Sequence, residues 1–133
     1  SRHPLMKKRK VEEGHNRVLV VVFSSDRGLA GGLNSSLFRH VEKVLKGRKI
    51  DFGNTGVITI GKKAEGYFTH RGYLLEEKIP SMDEKNTTQN FDEVVRIVTD
   101  LYLRDEYDEC LVVYTNFLST FEQKPVSRTL LPL

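Results

Sequence analysis

A chain of 133 residues, 38% hydrophobic and 29% charged, has the length and composition of one globular domain and excludes a disordered polymer. The longest apolar run, Val18 to Phe23, is far too short to cross a bilayer, and the single cysteine, Cys110, excludes a disulfide framework and fits a reducing compartment. The net charge of +3 is local: residues 1–17 hold six basic residues against Glu12 and Glu13, so the other 116 residues sum to −1.

Residues 1–17 therefore form a basic arm and 18–133 the folded domain. The opening lacks an apolar leader and an initial methionine, and the chain stops abruptly on Leu-Leu-Pro-Leu, as expected of a piece of something longer. The arm's Lys7-Lys8-Arg9-Lys10 run has no aromatic residues interleaved for base stacking, so no nucleic-acid partner is expected.

Val18 to Phe23 is a β-branched run typical of a strand buried on both faces. The glycine-rich stretch Ser24 to Leu33 reads as a loop, after which Asn34 or Ser35 caps a helix. Leu37, Phe38, Val41, Val44 and Leu45 form its apolar stripe, and Gly47 ends it. Val57 to Ile60 is a second buried strand, Lys62 to His70 a short helix closed by Arg71-Gly72, and Tyr73 to Ile79 a third strand stopped by Pro80. Thr87 or Thr88 caps a helix with Phe91, Val94, Val95, Val98, Leu101 and Tyr102 on one side. Cys110 to Tyr114 is the next buried strand, and Pro125 to Leu131 a closing edge strand, where proline is tolerated. Such alternation predicts a three-layer, Rossmann-like α/β fold, with helices on both faces of a mostly parallel sheet.

A glycine-rich turn after the first strand invites a nucleotide reading, but the dinucleotide fingerprint fails. From Gly28 its third and sixth positions are Ala30 and Leu33, although Asp51 stands near the expected place of a ribose-binding acid. The glycines then serve to supply positive φ and let the helix pack closely. Gly56-Val-Ile-Thr-Ile-Gly61-Lys62 matches the phosphate-loop spacing, yet Lys63 stands where a magnesium-binding Ser or Thr is needed, and Val57 to Ile60 must be strand. His3, His15, His40 and His70 show no metal-ligand spacing. Ser24 and Ser25 lie outside any nucleophile elbow. Asp105, Glu106, Asp108 and Glu109 read as a solvated acidic turn, and Cys110 as inert core. No catalytic constellation, metal site or cofactor site is expected.

The stretch Ser25-Asp26-Arg27-Gly28-Leu29-Ala30-Gly31-Gly32-Leu33-Asn34, directly after a hydrophobic strand, resembles the gamma subunit of the rotary (F-type) ATP synthase. That family carries Ser-Asp-Arg-Gly-Leu-Cys-Gly-Gly-Leu-Asn in the same setting, so Ala30 replaces a cysteine. His3-Pro4, Asn116-Phe117 and Leu130-Leu131-Pro132 are similar to further family landmarks, and the likeness spans essentially the whole chain. The resemblance implies the central Rossmann-like domain of a rotor subunit, without the two long terminal helices that pair as a coiled coil. It implies a non-catalytic part that transmits torque between the c-subunit ring and the alpha and beta subunits, with epsilon docked at the foot. The implied location is the cytoplasmic face of a bacterial inner membrane, or the matrix side of a mitochondrial one. Basic residues of the family's glycine turn and following helix face an acidic motif of beta; Arg27 and Arg39 match two of these positions, and Glu42, beside Lys43, falls on the third. With Cys110 alone the chain cannot carry the cysteine-pair switch of the chloroplast version. The alternative reading is a stand-alone nucleotide-binding α/β enzyme domain, motivated by the glycine-rich turn.

Overall fold

Val18–Phe23 (β1) is the centre of a five-stranded sheet, and its four valines suit a strand that is covered on both faces. The computed structural model describes residues 4–6, 16–26, 31–81, 87–117 and 123–133. Within them, α1 (Gly31–Gly47), β2 (Thr55–Ile60), α2 (Lys62–His70), β3 (Leu74–Ile79), α3 (Thr87–Leu103), β4 (Glu109–Asn116) and β5 (Lys124–Leu131) follow in order. The sheet runs β3-β2-β1-β4-β5, parallel except for β5, so the expected α/β class and antiparallel-edge proline (Pro125) are both found.

The chain steps from β1 through β2 to β3 on one side, then returns across the sheet to β4 on the other. Right-handed crossovers then demand that α3 lie on the opposite face from α1 and α2. The packing agrees. Val18, Val20 and Val22 meet Leu37, Phe38, Val41 and Leu45 of α1 and Ala64 and Phe68 of α2. Leu19 and Val21 meet Val94, Val98, Leu101 and Tyr102 of α3. Both edge strands carry a register irregularity, opposite Val57/Ile58 in β3 and Cys110/Leu111 in β5, devices that blunt open edges.

All three helices close in the same way. Ile50, Tyr73 and Glu106 each donate a backbone N–H to the carbonyl five residues earlier, with Lys49, Gly72 and Asp105 in the left-handed region just before them. α1 ends at Gly47 as expected, and the left-handed residue that closes the turn after it is Lys49 (φ 56). The sequence also placed Asp108 on a solvated turn, whereas it is 8% exposed. Its carboxylate accepts the Arg17 backbone N–H (2.9 Å) and two guanidinium bonds, Nε at 3.0 Å and Nη2 at 2.9 Å. The beginning of β1 is thereby locked to the start of β4. Glu109 is likewise taken up, by Arg48 from the end of α1.

Candidate functional site

The motif lies at the carboxyl ends of the parallel strands, where β1 runs out. Of its residues, Arg27, Gly28, Leu29 and Ala30 lie outside the described residues, whereas Asp26, Gly31, Gly32, Leu33, Asn34 and Arg39 are described. The helix expected to start after Asn34 or Ser35 starts at Gly31, so neither residue is its cap. Asn34 is buried and serves the preceding loop instead. Its Nδ2 donates to the Ser25 carbonyl (2.6 Å), and its Oδ1 accepts the Ser25 N–H (3.1 Å). One side chain thus satisfies both backbone groups of a residue that has left the sheet. Gly31 and Gly32 do not do what the sequence suggested. Among the described residues, no atom outside the helix's own backbone and the adjoining residues lies within 4 Å of a Cβ built on either.

Asp26 turns toward α2. One carboxylate oxygen accepts the Lys62 N–H (3.0 Å) and the Ser81 hydroxyl (2.5 Å), and the other accepts the Lys63 N–H (3.2 Å). Beside it the Ser24 hydroxyl accepts the Ala64 N–H (3.1 Å) and donates to the Ile60 carbonyl (3.1 Å). The first turn of α2 therefore receives its acceptors from the loop after β1, a capping arrangement supplied from 36 residues away. Partial burial pushes the Asp26 carboxyl up, but the bonds from Ser81, Lys62 and Lys63 outweigh it and hold the group below its ordinary value. Gly61 sits at the turn between β2 and α2 with φ +103, and a Cβ there would stand 2.5 Å from Ser24 Oγ. The phosphate-loop likeness ends here: Val57 to Ile60 is strand, and the helix terminus that would receive a phosphate already holds a carboxylate.

Arg39 is exposed on α1 and forms no ion pair among the described residues. Glu42, one turn further on, is committed within the domain. It accepts the hydroxyls of Tyr67 and Tyr73 and stands 3.6 Å from Arg71, which also lies over the Tyr67 ring. Burial, followed by the charge of Glu42, pushes the Tyr73 phenol up to about 12. Glu42 therefore ties α1 to α2 and the start of β3.

At the switch point between β1 and β4 a cleft of about 400 Å³ is lined by Phe23, Ser24, Asn34, Tyr114, Thr115 and Phe117. Its described lining is mainly apolar and offers no charged group to a phosphate. On the α3 face a groove of about 440 Å³ runs between Phe91 and Val95 of α3 and Val112, Tyr114 and Leu130 of the sheet. Cys110 lies buried beneath the same face, where burial pushes its thiol up to about 12. No described helix is long and apolar enough to cross a membrane, and no described group of three His, Cys, Asp or Glu side chains is placed to hold a metal.

A three-layer Rossmann-like domain is thus defined, with a glycine-containing motif pinned at the carboxyl edge of its sheet. Its sequence matches the ATP synthase family over residues 1–133, and the chain belongs to the gamma-chain branch of that family. The ATP synthase gamma chain of Legionella pneumophila (strain Corby) is 33% identical over 132 residues, which are 99% of this chain and 44% of the relative. That of Desulforamulus reducens is 31% identical over 131 residues, 98% of this chain and 44% of the relative. The chain therefore spans less than half the length of these relatives. Among solved structures, the fold is similar to the rotor of Euglena gracilis mitochondrial ATP synthase (TM-score 0.68, 21% identity, 87% of this chain and 39% of that one). It is also similar to the central stalk and c-ring assembly of the Tetrahymena thermophila mitochondrial enzyme (TM-score 0.66, 23% identity, 98% and 56%).

Proposed function

We propose that this chain is the central domain of a rotor subunit. In this role it transmits torque between a proton-driven c ring and a catalytic ring of alpha and beta subunits, with epsilon docked beside it, and has no catalytic site of its own. The observation that carries the reading is the match to gamma chains across the full length of the chain. The mechanics support it. A torque-bearing body needs a stiff interior, and close-packed cores have low compressibility. Here β1 is buried from Val18 to Val22, with packed helices on both faces. A coiled coil of two terminal helices also needs the domain to begin and end in one place. The Leu133 N–H donates to the Leu5 carbonyl at 2.9 Å, and Leu5 packs into the α3-side core, so first and last described segments adjoin.

Absence of catalysis is supported by the state of the nucleophile candidates. Cys110 is buried with its thiol pushed up, and the Ser24 hydroxyl is spent on Ile60 and Ala64. In this reading Arg27 and Arg39 face the acidic motif of beta, whereas Glu42, held by two tyrosines and Arg71, is unavailable to it. Residues 1–17 connect to the first terminal helix, and the whole sits at the membrane surface, on the cytoplasmic face in a bacterium. Affinity purification of the parent protein from gently solubilised membranes, followed by mass spectrometry, tests this reading. Recovery of alpha and beta subunits with epsilon in fixed ratio is expected. A parent recovered without them overturns the rotor reading.

A further inference from the structure

Asp26 stands inside the motif, yet its carboxylate's hydrogen bonds to described residues run inward, to two N–H groups of α2 and one hydroxyl of the loop after β3. The loop after β1 supplies Ser24 and Asp26, the first turn of α2, directly after β2, supplies the N–H groups of Lys62, Lys63 and Ala64, and the loop after β3 supplies Ser81. Gly61 N–H adds a bond to the Ile79 carbonyl (2.8 Å), so the ends of three parallel strands are tied in one knot. The amino end of α2 carries partial positive charge and N–H groups that have no acceptor within the helix, with Lys62 and Lys63 at its first two positions. Such a terminus calls for an anion, and Asp26 is the anion the chain provides.

We propose that Asp26 is the positioning residue of the motif. Its carboxylate acts as the internal anion of α2 and fixes the chain at Asp26, the last described residue before Arg27. Asn34 of α1 makes a second, independent clasp on both backbone groups of Ser25. The proposal rests on the reading of Arg27 as facing the acidic surface of the catalytic ring. Charge and shape are both needed. An amide in place of the carboxylate has one acceptor oxygen for three donors, and its own N–H groups would meet the N–H groups of α2.

The test uses the full-length subunit. Asp26→Gly removes the anion and leaves a gap that water and small ions can reach, since the residue lies at the surface. It is expected to melt earlier, and about 100 mM formate should raise its melting temperature by about 2 °C or more over a chloride control, with no such gain for the wild type. In the assembled ring, Asp26→Asn and Arg27→Ala should each slow gamma-dependent ATP hydrolysis about twofold or more, and the double variant should be no slower than Arg27→Ala alone. Formate that leaves the Asp26→Gly variant unmoved, or a variant that melts with the wild type, overturns the internal-anion role. Losses that multiply in the double variant overturn the positioning role. Formate rescue with hydrolysis untouched by either single substitution overturns the ring-facing reading of Arg27 and the positioning claim with it, while the anion assignment stands.

Discussion

Replacing Gly61 by alanine loads two separate costs onto one methyl group. The backbone there has φ 103 and ψ 149, a region populated almost only by glycine, and holding an alanine in it costs about 1–3 kcal/mol. The new Cβ would also stand 2.5 Å from Ser24 Oγ, which must move and so give up its bonds to the Ala64 N–H and the Ile60 carbonyl. At about 1 kcal/mol per bond the sum is about 3–5 kcal/mol, a large share of a domain's usual 5–15 kcal/mol. The variant should lose that amount in urea denaturation and melt about 10–20 °C lower. A second substitution separates the two costs. In a Ser24→Ala background the 2.5 Å clash is gone and only the tight 3.1 Å approaches to the Ser24 carbonyl and Ser81 Oγ remain, so Gly61→Ala should cost mainly its backbone strain, and the two losses should fall short of additive by about 1–2 kcal/mol. A Gly61→Ala protein within about 0.5 kcal/mol of the wild type, or strict additivity with Ser24→Ala, would refute this reasoning.

Asp108→Ala leaves the Arg17 guanidinium and backbone N–H without their buried acceptor, so a loss of about 2–3 kcal/mol is expected in urea melts; a loss below about 0.5 kcal/mol would show that the pair carries no weight. Burial, with Lys43 nearby, pushes the His40 pKa below its ordinary value, and its Nε2 is buried with no described partner. The folded state then binds fewer protons, so this contribution is whole above the unfolded value of about 6.5 and fades as pH falls through the lowered folded value. His40→Gln should flatten that part of the stability profile between about pH 7.5 and 5. Lys49→Gly relieves the left-handed turn after α1 and should stabilise the chain by about 0.5 kcal/mol, the strain removed less the added freedom of the unfolded glycine. Millimolar ATP or ADP should leave the melting temperature unchanged, whereas a shift of several degrees would favour the nucleotide-binding alternative and point to the cleft between β1 and β4.

The order of elements along the chain was legible because β1, β2 and β4 are short runs rich in β-branched residues and α1 and α3 carry apolar stripes. β1 and α2 match their expected limits to the residue. The start of α1 was not legible, because Gly31 and Gly32 read as loop while the structure places both in the first turn of the helix. The stripe expected on α3 is only partly buried: Phe91 and Val95 are 50% and 41% exposed, and they line an open groove against Val112, Tyr114 and Leu130 of the sheet. The role of Asp26 left no pattern to find, since its partners include backbone N–H groups 36 and 37 residues away, which carry no side-chain signature. One hint did exist. A glycine between a strand and a helix that opens Lys62-Lys63, without the Ser or Thr of a phosphate loop, is a helix terminus in need of an anion, and the motif holds an aspartate. Glu42 is a similar case, for its sign made sense only once Tyr67, Tyr73 and Arg71 were seen around it.

A rotor role is tested by watching this domain turn. With the catalytic ring of the assembled parent enzyme fixed to a surface and a bead attached to an exposed position of the domain such as Lys46, ATP should drive stepwise rotation in one direction. A ring that hydrolyses ATP while the bead stays still would contradict it.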